Sequence, residues 1–145
     1  MTHDPKGFHG IPWGTPLDDR PDLVLVNSTQ HIKEYELKAG PLPLGTAQVE
    51  TMRLSTIDGQ FARVTIHYQG QEVHERILAY LQEQYGPLDR TPGQTMRSFN
   101  QQYNWRGTDT EVNLTYQGHN ERGVLFIEST VLAPRFNDTI PEHAF

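Results

Sequence analysis

The 145-residue chain contains no cysteine. That excludes disulfide staples, thiol nucleophiles, iron–sulfur clusters and cysteine-ligated zinc sites together, because each needs a thiolate or an oxidised sulfur pair. No apolar run approaches the roughly 20 residues that cross a bilayer as a helix, and the opening Met1-Thr2-His3-Asp4-Pro5-Lys6 has none of the apolar core that a secretory signal carries. Positive charge is scarce as well: 12 Lys and Arg stand against 18 Asp and Glu, for a formal net charge of −6. Such a surface gains little by displacing counterions, so neither nucleic acid nor anionic lipid is an expected partner. Also missing are G-x-S-x-G, P-loop, G-x-G-x-x-G and H-E-x-x-H patterns, so no catalytic residues are assigned and no cofactor is expected.

What is present suits one domain. A chain of this length buries about two-thirds of the surface its unfolded form exposes, enough to fold without staples. Nothing polar or low-complexity divides it, so 1–145 reads as a single domain with a folded core over 8–131 and poorly ordered tails at 1–7 and 133–145.

Thr15 followed by Pro16 has the form of a helix cap and first position, with Asp18 facing free N–H groups and Pro21 limiting the helix to about one turn. Strands are expected at 23–26 and 32–37, followed by a linker-like loop at 40–45. Asp58-Gly59 accepts the positive φ angles of a two-residue hairpin turn joining 47–57 to 60–68. Over 71–85 the period changes to 3.6, with Val73, Ile77, Leu78, Leu81 and Tyr85 on one stripe of a helix about 22 Å long, which Gly86-Pro87 stops. After a loop with Pro92-Gly93, alternation returns over 96–106, 110–117 and 123–131. Phe99, Tyr103 and Trp105 share one strand face, and Val112, Leu114 and Tyr116 share another. These elements imply an α+β class: a mainly antiparallel sheet with the long helix packed on one face.

Seven histidines, at positions 3, 9, 31, 67, 74, 119 and 143, raise the question of a metal. No pair has helix i, i+4 or alternate-strand spacing, and no carboxylates group with them, so no native metal site is expected. His74 differs from the others because the helical step places it inside the apolar stripe, near a helix N-terminus. Dipole and desolvation there both favour the neutral ring, either as a hydrogen-bonded boundary histidine or as a functional one. Asp18-Asp19 and Glu72 with Glu75 are carboxylates of first helical turns, where the dipole favours them without any catalytic role. Trp13, Tyr103, Trp105 and Tyr116 combine apolar area with a polar handle. At alternate strand positions such rings ordinarily pack the sheet, so Trp105 is expected in the core. The alternative is a ligand pocket built from Trp13, His74, Tyr103 and Trp105.

Gly10-Ile11-Pro12-Trp13-Gly14-Thr15-Pro16-Leu17, the L-x-x-Q-Y-G-P-L stretch at 81–88, Tyr103-Asn104-Trp105-Arg106-Gly107 and Thr110-Glu111-Val112-Asn113-Leu114-Thr115-Tyr116 carry a family resemblance. The chain resembles a loose family of small exported bacterial domains of uncharacterised function, often found behind a signal peptide or lipoprotein signal. The likeness runs from about Phe8 to Val131 and rests on structural punctuation, with no catalytic residues to carry over. It implies a periplasmic or envelope location for a longer precursor, with the cytoplasm as alternative because no signal segment stands in this sequence. The function expected is a non-enzymatic accessory module that binds another protein, whose identity the sequence does not supply. A small-ligand binder using the aromatic set is the alternative. The first would expose an apolar patch or sheet edge, the second a concave pocket.

Overall fold

Period-two alternation sends one set of side chains into a core and the other outward, and it governs most of this chain. A computed structural model describes residues 1–87, 93–95 and 100–138. The first half forms β1 (Gly7–Phe8), β2 (Ile11–Pro12), β3 (Leu23–Ser28), β4 (Ile32–Leu37), β5 (Thr51–Ile57) and β6 (Gln60–Gln69). After helix α1 (Gln71–Tyr85) come β7 (Gly93–Thr95), β8 (Asn100–Arg106), β9 (Thr110–Gln117), β10 (Arg122–Ser129) and the short α2 (Arg135–Asp138). Antiparallel sheet dominates the described residues. Eight strands run in the order β3-β4-β5-β6-β10-β9-β8-β7, and β1 and β2 pair separately.

The large sheet is two four-stranded meanders joined edge to edge. Strands β6 and β10 make the seam, in register from Gln69 opposite Arg122 to Arg63 opposite Glu128. Within the first meander, Asp58 and Gly59 have φ of 50° and 82°, the two positive values a tight hairpin turn demands. One face of the sheet carries the main core, where Phe61, Ile66, Ile77, Leu81, Trp105 and Leu125 are enclosed. Helix α1 lies on that face and buries His74, Ile77, Leu81 and Tyr85. Its first turn has no side-chain cap of its own. The turn between β9 and β10 supplies one: Glu121 accepts the Gln71 N–H on Oε1 at 3.0 Å and the Gly70 N–H on its backbone oxygen at 2.8 Å. At the other end Gly86 has φ 95° and donates its N–H to Gln82 O at 2.9 Å.

Several expectations change. No helix forms around 15–20: the Thr15 hydroxyl donates to Pro12 O, while Phe61 donates its N–H to Thr15 O and accepts one from Gly14. Long-range backbone bonds to β6 and burial of Leu17 hold the segment in turns instead. The loop at 40–45 is no loose linker, because Leu44 and Ala47 pair and bury themselves in the core. Strand β5 therefore begins at Thr51 rather than 47. Residues 96–99, including Phe99, lie outside the described residues, as does Pro92, while Gly93 falls in β7 rather than a loop.

Both ends, read as poorly ordered tails, are tied to the sheet where they are described. Thr2 donates its N–H to Tyr85 O at 2.9 Å, and the Asp4 carboxylate accepts the N–H groups of Asp109 (2.7 Å) and Thr110 (3.2 Å). Desolvation pushes the Asp4 carboxyl up, but hydrogen bonds from the Thr110 side chain and from the backbone of Asp109, Lys6 and Thr110 outweigh it and lower its pKa. At the other end Ala133 and Phe136 join Ile57 and Ala62 in a second cluster. Ile57 and Arg63 alternate with core residues of β5 and β6 and so face away from the main core, while Ala62 is the extra residue where the β5–β6 register shifts. Arg63 stacks on Phe136 at 4.3 Å and pairs with Glu128 at 2.7 Å, which pins the segment down.

Candidate functional site

The four aromatic and imidazole side chains proposed as a pocket separate into different environments. Trp105 is 0 % exposed and donates its indole N–H to Gly86 O at 2.9 Å, so it ties the helix end to the sheet and offers no surface. Trp13 is half-buried, lies 4.9 Å from the Phe61 ring, and donates to Thr110 Oγ1 at 2.9 Å. Both indoles have their polar handle satisfied inside the fold, which is the behaviour of packing residues.

His74 and Tyr103 do come together, with ring centroids 5.8 Å apart. Helix α1 delivers His74 onto two further tyrosines. It stacks on Tyr116 at 3.8 Å and lies 2.6 Å from the Tyr68 hydroxyl through Nδ1. Tyr68 alternates with the buried Val64 and Ile66 on β6, which by itself marks only a core position. Its ring lies over Gly123 on the paired strand, where a Cβ would stand 2.0 Å from the ring. Burial lowers the His74 pKa, opposed by the nearby Gln101 side chain, and the same desolvation raises Tyr68, whose phenol stays protonated. Nδ1 and the Tyr68 hydroxyl share one hydrogen bond whose donor is set by the ring tautomer, and Nε2 is buried and makes no hydrogen bond of ordinary geometry. The cluster is a neutral, stacked ring assembly with one unmet polar atom.

One member of each acidic pair, Asp18 and Glu72, is engaged as well. Tyr35 donates its hydroxyl to Asp18, and Lys33 lies 3.4 Å from the same carboxylate. The Tyr35 bond, with help from Lys33, lowers the Asp18 pKa against desolvation, while burial and then Asp18 itself push Tyr35 up to about 12. Glu72 pairs with Arg76 at 2.7 Å along the helix. Among the described residues no three His, Asp or Glu side chains converge as metal ligands, and His143 lies outside them. An open groove of about 440 Å³ on the sheet face opposite the main core is lined by His67, Arg53, Arg122, Thr65, Glu34 and Glu50 among others. Its charges are already matched: Arg53 lies 3.8 Å from Glu34 and 3.4 Å from Glu36, and Arg122 lies 4.0 Å from Glu50.

The sheet edge at β3 is different in kind. Val24, Leu25 and Val26 are 43 %, 49 % and 39 % exposed, and with Val131 they are the exposed large apolar side chains of the described residues. Sequence reading placed a strand here but not an edge, since a run such as Leu-Val-Leu-Val ordinarily signals a strand buried on both faces. Among the described residues, only one side of β3 is paired. Leu23 sits opposite Leu37, Val24 opposite Glu36 and Leu25 opposite Tyr35, after which the register shifts past Val26. Because Lys38 donates its N–H to Asp22 O, ladder alternation turns the N–H and C=O of Leu23 and Leu25 away from β4. Leu23 satisfies its N–H on Arg20 O, leaving Leu25 as the outward-facing residue before the bulge. In comparisons with known proteins, no family model, no curated protein and no solved structure matches the chain.

Proposed function

We propose that this chain is a non-catalytic accessory module that binds another protein chain along the β3 edge. The observation that carries the reading is the run of three exposed apolar side chains, Val24 to Val26, on a strand whose outer side has no neighbour among the described residues. An edge of this kind offers main-chain hydrogen bonds for affinity and side chains on both faces for selectivity. The small-ligand alternative loses its central wall, because Trp105 is enclosed and its indole N–H is already used. We infer an α+β class rather than all-β, since α1 supplies four buried residues to the core. The envelope location rests on the family resemblance, and the cytoplasm is its alternative. No helix among the described residues is long and apolar enough to cross a membrane.

The reading is tested by hydrogen exchange of the full chain with synthetic extended peptides of about eight residues, rich in Val, Ile and Leu. The expected result is new protection of the β3 amides in the wild type and none in Leu25→Lys. Protection that falls elsewhere, or that survives Leu25→Lys, would reject β3 as the binding edge.

A further inference from the structure

Which chain completes β3 can be argued from its own residues. From Leu23 to Gln30 the sequence is Leu-Val-Leu-Val-Asn-Ser-Thr-Gln, eight residues without a charge or a proline in a chain of net charge −6. Natural edges are usually protected by lysine, proline or an inward-pointing charge, and here a bulge at Val26 is the one such device.

We propose that the partner is a second copy of this chain, with two β3 strands pairing antiparallel about a two-fold axis at Leu25. The proposal rests on the protein-binding reading of this edge. Leu25 qualifies for the axis because its backbone N–H and C=O both turn outward, so two copies can exchange a reciprocal pair of hydrogen bonds there. The register sets Val24 of one copy against Val26 of the other and brings Asp22 level with Ser28, so no like charges stand directly opposite. Glu34 and Glu36, one strand behind the seam, share Arg53, which offsets one of their two charges. Glu34 accepts an N–H from the Asn27 side chain at 2.9 Å, and both carboxylates flank Arg53. The eight strands of each copy would then form one continuous sheet. The seam is short and broken by the bulge, so a weak dimer, in the micromolar range or above, is expected.

Sedimentation velocity on the full chain, from about 10 µM to about 1 mM, reads the monomer–dimer equilibrium. The expected result is a concentration-dependent dimer whose dissociation constant rises at least about tenfold in Leu25→Lys, while Val131→Lys leaves it unchanged. Circular dichroism melts confirm that both variants fold. A wild type that stays monomeric across the range overturns self-pairing, as does a dimer that Leu25→Lys leaves intact. If the monomeric wild type still shows peptide protection along β3, only the identity of the partner falls. If β3 takes neither peptide nor copy, the protein-binding reading falls with it.

Discussion

Strands β3 and β10 both bear runs of large apolar side chains, Leu-Val-Leu-Val in one and Val-Leu-Phe-Ile in the other, yet only β10 hides them. In β10 every second residue from Gly123 to Ser129 is buried, with β6 on one side and β9 on the other. In β3 only Leu23 is buried, and the next three residues face solvent beside an unpaired edge. The difference comes from rank in the sheet. A central strand receives a neighbour on each side and turns one face fully into the core, whereas the last strand receives one neighbour among the described residues.

The sharpest way to break this contrast is in the buried core. Trp105→Ala removes a fully enclosed ring and the hydrogen bond to Gly86 O, and should destabilise the fold by roughly 3–5 kcal/mol. Urea denaturation would read it. A midpoint like wild type would mean that Trp105 does not pack in the structural core. Next in size is the approach of β6 to β10, where Gly123→Ala drives a methyl into the Tyr68 ring and should cost about 1–3 kcal/mol by overpacking. Recovery of the loss in a Gly123→Ala, Tyr68→Leu double variant would localise the clash to that ring.

A third test uses the proton. Burial holds the His74 pKa below its ordinary 6.5, so below that value the unfolded chain binds a proton that the folded chain refuses. The stability contributed by the neutral ring is therefore complete above about pH 6.5 and declines as pH falls toward the folded value. Chemical denaturation at pH 7.5 and pH 5 should show a larger loss for wild type than for His74→Phe. Equal losses would show that the ring is protonated freely in the fold. The smallest effect is expected at the edge. Leu25→Lys should change the stability of the monomer by no more than about 0.5 kcal/mol, because the side chain is half in water already. A loss comparable to that of Trp105→Ala would erase the distinction between edge and core.

Local order was readable where one pattern dominates. Helix α1 runs over 71–85 as its apolar spacing required, and its end at Gly86 takes the positive φ that only glycine adopts freely. Strands β4 and β9 fall at 32–37 and 110–117 as the alternation indicated, and Trp105 is in the core as its strand position suggested. The short segment at 15–20 misled because its cap and proline signals are worth about 1 kcal/mol, and bonds between Thr15, Gly14 and Phe61 outweighed them. The ends misled for a related reason: Asp4 and Phe136 find their partners about 105 and 73 residues away, beyond any local window.

Composition and periodicity alone determined that this chain is cysteine-free, acidic and rich in strand, because those properties are set by side-chain chemistry and by repeats shorter than about four residues. Only the tertiary structure decided that β6 and β10 would meet at the centre, that His74 would lie among Tyr68, Tyr103 and Tyr116, and that Leu-Val-Leu-Val would be left at the rim. The order of strands depends on which long-range pairings bury the most surface at once, and no residue carries that information by itself.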